Sequence, residues 1–133
     1  METQLAILCQ SVAVDRFTNR LSLFNIIERI EAPQFPVFLS ESTFVILLRR
    51  ETSEVNAFDG EITIHLRAGT ETTPVGVARL RVDFENGTAT RQIANFQGLP
   101  LMSPGILEFR MALPDGQTSG AQIPVEVGPG GYR

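Results

Sequence analysis

A single histidine, His65, and a single cysteine, Cys9, are all that this sequence offers as a neutral-pH base and a thiol nucleophile. His65 lies in the alternating stretch EITIHLRA, where it shares the polar phase with Glu61, Thr63 and Arg67. As a general base it would take Glu61, Arg81 or Asp83 as cross-strand partners, the arrangement of a small hydrolase. No serine, cysteine or second acid stands at a spacing that forces it beside His65, so a solvated histidine among cross-strand charges accounts for it. Cys9 sits in the apolar run QLAILCQSVAV. A catalytic thiol needs a histidine or a helix N-terminus to lower its pKa, and an apolar strand supplies neither. Cys9 is expected as a small core residue.

Two charge groupings suggest binding rather than catalysis. Asp15, Asp59, Asp83, Glu85 and Asp115 fall in or beside turns, as loop ligands of a calcium-binding sandwich do. Calcium needs several carboxylates converging from two loops. Each turn here carries only one or two, and Asp15, Asp59 and Asp115 are residues that turns favour anyway. Arg49, Arg50, Arg67, Arg79, Arg81 and Arg110 would make a cationic face for an acidic partner if they shared one side of a sheet. Glu51, Glu61, Asp83 and Glu108 interleave with them, which describes a mixed solvent face instead. There is no phosphate-cradling glycine loop, zinc spacing or nucleophile elbow. No metal, no cofactor and no enzymatic activity is expected.

The elements that must carry these residues read as strands. In Glu61–Phe84, Ile62, Ile64, Leu66 and Ala68 alternate with polar neighbours, and after GTETTPVG so do Ala78, Leu80, Val82 and Phe84. A two-residue period of this kind marks half-buried antiparallel strands joined by a turn. Further strands are expected over 4–14, 21–32, 42–51, 88–97, 106–113 and 121–127. DRFTNR, Asp59-Gly60, Glu85-Asn86-Gly87 and PDG supply turns, the asparagine-glycine step reading as a tight hairpin. Pro33 and Pro36 make 33–38 a loop, GLPLMSPG (98–105) makes another, and Pro124 places the last strand at a sheet edge or bulge. About eight strands at ten-residue spacing with no major helix describe a two-sheet antiparallel β-sandwich, immunoglobulin-like or jelly-roll-like. Residues 1–127 form its single domain and 128–133, GPGGYR, a flexible tail.

Bulk properties narrow the partners. The 133 residues suffice for one self-standing core, and 43% hydrophobic with 20% charged residues is ordinary for a globule. A net charge of −4 argues against nucleic acid and anionic membranes. All 11 cations are arginine. Glu2 near the start and the lack of a basic segment argue against a signal peptide, and no run approaches a membrane span. The cytoplasm is the expected location.

Three stretches carry a resemblance: QLAILCQSVAVD, LSLFNIIERIEAPQFP and GLPLMSPGILEFRMALPDG. Together they resemble a family of small bacterial β-sandwich proteins known only as hypothetical proteins with a domain of unknown function. Asn19-Arg20 stands where that pattern has a glycine-lysine pair. The resemblance implies an all-β sandwich and carries over no active-site residue.

With no polar constellation outweighing its structural role, the expected function is protein interaction or assembly. The surface proposed for it is the apolar loop residues Phe35, Val37, Phe38, Leu99, Leu101 and Met102, binding another protein or a second copy in a homo-oligomer. Alternatives are a small-ligand or carbohydrate-binding sandwich, which has no tryptophan to work with, and a protein modifier attached through Gly130-Gly131.

Overall fold

Two-residue alternation does what the polypeptide geometry requires of it: one phase of each strand turns inward and two sheets close over the result. The computed structural model describes residues 1–129 and the backbone of Gly131–Tyr132. One sheet holds β1 (Glu2–Val14), β2 (Leu21–Ile26), β4 (Val37–Arg49) and β7 (Ala89–Leu101), ordered β2-β1-β4-β7. The other holds β3 (Ile30–Ala32), β5 (Ala57–Ala68), β6 (Glu71–Asp83), β8 (Gly105–Ala112), β9 (Thr118–Val127) and β10 (Gly131–Tyr132), ordered β10-β3-β9-β8-β5-β6. No helix occurs among the described residues, and the protein is a two-sheet β-sandwich. Leu8, Phe44, Ile46 and Leu48 of the first sheet meet Ile62, Ile64, Phe109, Met111 and Ile123 of the second. At the centre the Phe44 ring stacks on Phe109 at 4.9 Å, with Phe96 edge-on at 5.9 Å.

Several boundaries differ from the sequence expectation, each for a local reason. The stretch 21–32 is two strands rather than one, because the chain passes from one sheet to the other between Ile26 and Ile30, with Ile27 buried in the core on the way. β3 then runs parallel to β9, whereas every other pairing is antiparallel. The GTETTPVG connection shrinks to Gly69-Thr70, with Gly69 at φ +62 and Ala68 opposite Glu71. The rest of that segment is strand. Pro74 is accommodated because β6 is an edge and the register slips there, Ile64 facing Gly76 and His65 facing Pro74.

The Glu85-Asn86-Gly87 step does not make an in-sheet hairpin. Glu85 and Asn86 take positive φ and Gly87 N donates to Phe84 O at 2.8 Å, but the strands on either side enter different sheets. Pro124 is not on an edge strand. It precedes Val125, where pairing with β3 begins, so β9 is still flanked on one side only at that residue.

The two expected loops are shorter than 33–38 and 98–105: 33–36 and 102–104 are irregular, but β4 begins at Val37 and β7 runs on to Leu101, with Val37 opposite Leu101 and Leu39 opposite Leu99. Inward residues on β7 jump from Phe96 to Leu99 and Leu101, a one-residue change of phase. Gly98, at φ +67, sits at the change. A positive φ costs a side-chain-bearing residue about 1 kcal/mol or more, and glycine nothing.

The hairpin of β1 and β2 folds back over the outside of its own sheet. Arg91 donates to Asn19 O at 2.9 Å and to Asn19 Oδ1 at 3.3 Å. Arg91 faces Leu47 in the ladder, which in turn faces Leu5, while β1 leaves β4 at Cys9. A straight β1 would carry Asn19 roughly 30 Å beyond that row at ~3.3 Å per residue. The hairpin must therefore turn back across the sheet. This explains why Cys9, Thr43 and Val45 are buried although they face away from the core cluster.

Candidate functional site

Each sequence-nominated chemical group has a structural occupation. His65 is half-buried on the outer face of β5 opposite Glu108, but Glu108 is taken by Arg67 at 2.8 Å. Glu61 pairs with Arg79 and Asp59 with Arg81, both at 3.0 Å and both directly opposite in the ladder. Asp83 accepts the Glu85 N–H at 2.8 Å. None of the three partners considered for His65 is held toward it. Cys9 lies under the folded hairpin, its sulfur 3.5 Å from the Ser11 and Thr43 carbonyls. Burial pushes its pKa up, which keeps it a thiol.

The acids expected in turns are spread over the molecule, and Asp59-Gly60 is not a turn at all: both residues lie inside β5, opposite Arg81 and Leu80, because β6 continues the pairing past them. Asp15 accepts the N–H groups of Phe17 and Thr18 at 2.8 and 2.9 Å, an Asx turn that holds its carboxyl below the usual carboxylate range. Asp115 accepts the Gln117 N–H and, with Glu54, the Met1 amine. The Gln117 N–H is the main reason the Asp115 pKa is lowered. No group of three or more His, Cys, Asp or Glu side chains converges among the described residues.

The arginines do not form one cationic face. Arg67, Arg79 and Arg81 are paired with carboxylates on the outside of the six-stranded sheet. Arg50 is elsewhere and only 7% exposed. Its guanidinium donates to Gly87 O at 2.7 Å and Glu54 O at 2.9 Å and lies 5.4 Å from the Phe84 ring centre. It ties the β4–β5 connection to the β6–β7 turn. The dipeptide Arg49-Arg50 gave no sign of this, since strand alternation alone turns one arginine out and the other in.

The apolar residues nominated as a partner surface do come together, on the paired ends of β4 and β7. They do not all face outward. Leu99 and Leu101 are buried in the core, 6% and 0% exposed, because of the phase change at Gly98. Phe35 and Val37 are half-buried against the core. Phe38, 64% exposed, and Met102, 59% exposed, stand out. Phe38 lines a cleft of about 220 Å³ together with Ile30, Ala32, Pro33, Val37, Leu39 and Leu101, and with the carboxylate-bearing Glu31. Sequence reading missed Ile30 and Ala32, which reach this end only because β3 crosses into the other sheet. Gly131 pairs with Glu31 of β3 through its backbone, while Gly130 lies outside the described residues.

No helix of the described residues is long and apolar enough to cross a membrane. No curated protein matches the chain. One family model does, along residues 4–126, which takes in the sandwich from β1 to β9, and the chain belongs to that family, the Family of unknown function (DUF6941).

Proposed function

We propose that the protein is a non-enzymatic, cytoplasmic interaction or assembly module that docks another protein on the end of the sandwich marked by Phe38 and Met102. The observation that carries this reading is Phe38, large, apolar and exposed at the rim of a mostly apolar cleft, with a second exposed apolar side chain, Met102, just past the end of the paired strand. Exposed apolar area on a rigid strand pair releases water when a partner covers it, and rigid anchors lose little entropy on docking. At about 220 Å³ the cleft is smaller than the ~300–1,000 Å³ of small-molecule sites. It suits one apolar side chain of a partner better than a metabolite or sugar. The buried, high-pKa Cys9 and the paired carboxylates around His65 add no competing chemistry.

The test is comparative affinity capture from the native host with the wild-type chain and a Phe38→Asp/Met102→Ser variant, both checked for an unchanged β-sheet circular dichroism spectrum. The variant should lose at least one specific protein that the wild type retains. An identical set of captured proteins from the two baits would remove this end of the sandwich from consideration.

A further inference from the structure

The two sheets end on four strands, β2 and β7 in one and β10 and β6 in the other. An edge strand presents unpaired N–H and C=O groups, and natural sheets usually blunt such edges. Three of these four are blunted. β6 has Pro74, the register slip beside it, and Arg79 and Arg81 in ion pairs. β2 is six residues long with Asn25 at φ +53, and β10 is two residues. β7 is different. From Ala89 to Gln97 it pairs with β4 without a break in register, and among the described residues no strand lies on its other side. Its stretch Gln92–Gln97, QIANFQ, contains no charge, proline or glycine, and Ile93 is 36% exposed.

We infer that the free edge of β7 over Ala89–Gln97 is a homodimer interface, pairing antiparallel with the same strand of a second copy. A row of unpaired backbone groups selects a β-strand as its complement. Identity of that strand follows from charge and symmetry. The sole charged residue in Ala89–Gln97 is Arg91. With the two-fold axis near Ile93 and Ala94, each Arg91 faces a side-chain amide, Asn95 or Gln97 of the other copy, rather than a second arginine. The part of β9 that β3 leaves uncovered, Thr118–Pro124, is itself interrupted by Gly120 and Pro124, so β7 is the one long unblunted edge and the assembly closes at two rather than growing into a fibre. The two four-stranded sheets become one continuous sheet of eight, β2-β1-β4-β7 on each side of the axis. A contact of this length sits at or below the ~1,200 Å² of the smallest stable interfaces, so the dimer is reversible and concentration-dependent. The inference rests on β7 and not on the Phe38–Met102 end, so either stands or fails alone.

Sedimentation velocity and amide hydrogen exchange on the full chain across a concentration series test it. The wild type should shift from monomer toward dimer as concentration rises, and amides of Arg91–Gln97 that exchange freely in the monomer should become protected in step. Ile93→Lys, which sets two ammonium groups against each other at the axis, should abolish both changes while leaving the melting temperature close to wild type. Val77→Lys on the β6 edge should leave both intact. A wild type that stays monomeric at its highest soluble concentration overturns the proposal. So does a dimer that survives Ile93→Lys with β7 amides unprotected, which would place the contact elsewhere. Protection of β7 only on adding host extract, with no dimer, would make its partner a foreign strand and also overturn it.

Discussion

Arg50 shows how one side chain acquires a role from its surroundings. Its fork satisfies two loop carbonyls, Gly87 O and Glu54 O, and its flat face covers Phe84. Removing it leaves both acceptors short of a donor where water has little access, while losing a cation–π contact. Arg50→Ala should cost about 2–4 kcal/mol in urea unfolding. Arg50→Lys should recover only part of that, because an ammonium keeps the charge but not the fork. If Lys proves as good as Arg, the geometry of the guanidinium is irrelevant and charge alone matters. The outer-face pairs Arg79–Glu61 and Arg81–Asp59 are exposed and screened, and their loss should be small beside this.

At the scale of elements, the β1–β2 hairpin depends on its turn. Asp15 accepts from Thr18 and Phe17 N–H, and the tip is anchored by Arg91 on Asn19. The Thr18 N–H, then the Phe17 N–H, lowers the Asp15 pKa in the folded chain. A depressed carboxylate pKa contributes stability that is present above the unfolded value of about 4 and lost as pH falls through the folded one. Asp15→Asn keeps an acceptor oxygen and removes the charge. Amides of Phe17–Arg20 should therefore exchange faster in Asp15→Asn than in wild type above about pH 5, and the difference should vanish as the pH falls through the lowered folded value. A difference that persists unchanged in acid would mean the carboxylate charge is not what tightens this turn. The same comparison reports on Cys9, since a loosened hairpin would expose its thiol to alkylating reagents.

For the whole molecule, the two sheets are held as one unit by Phe44, Phe96 and Phe109, whose rings meet across the sandwich. Phe109 is fully buried in β8 and its ring meets Phe44 and Phe96 of the opposite sheet. Phe109→Ala should cost about 3–5 kcal/mol, the transfer free energy of the ring plus the cavity it leaves. Fluorescence is a poor probe without tryptophan, so far-ultraviolet circular dichroism against urea is the measurement. A loss under about 1 kcal/mol would show the core collapsing freely around the gap, against the close packing these rings imply.

Alternation in Ile62–Ala68, Ala78–Phe84 and Ile106–Leu113 determined by itself that the chain is all-β with one greasy side per strand, since side-chain direction in a strand has a fixed period of two. Turn chemistry did the same for Asp15–Arg20, where local sterics leave few options. Tertiary structure alone decided which strands share a sheet: Glu85–Gly87 makes the same tight turn in a hairpin or between sheets, and only burial elsewhere selects the second. It also decided that β2 and β3 part at Ile27, which is buried in a core built from strands distant in sequence. The functional surface divides in the same way. Its six apolar residues could be named from composition, but the phase change at Gly98 sent Leu99 and Leu101 inward and left Met102 out, with Phe38 outward on the paired strand. A one-residue slip reverses every side chain beyond it, and a local pattern does not reveal which phase the opposite sheet will accept.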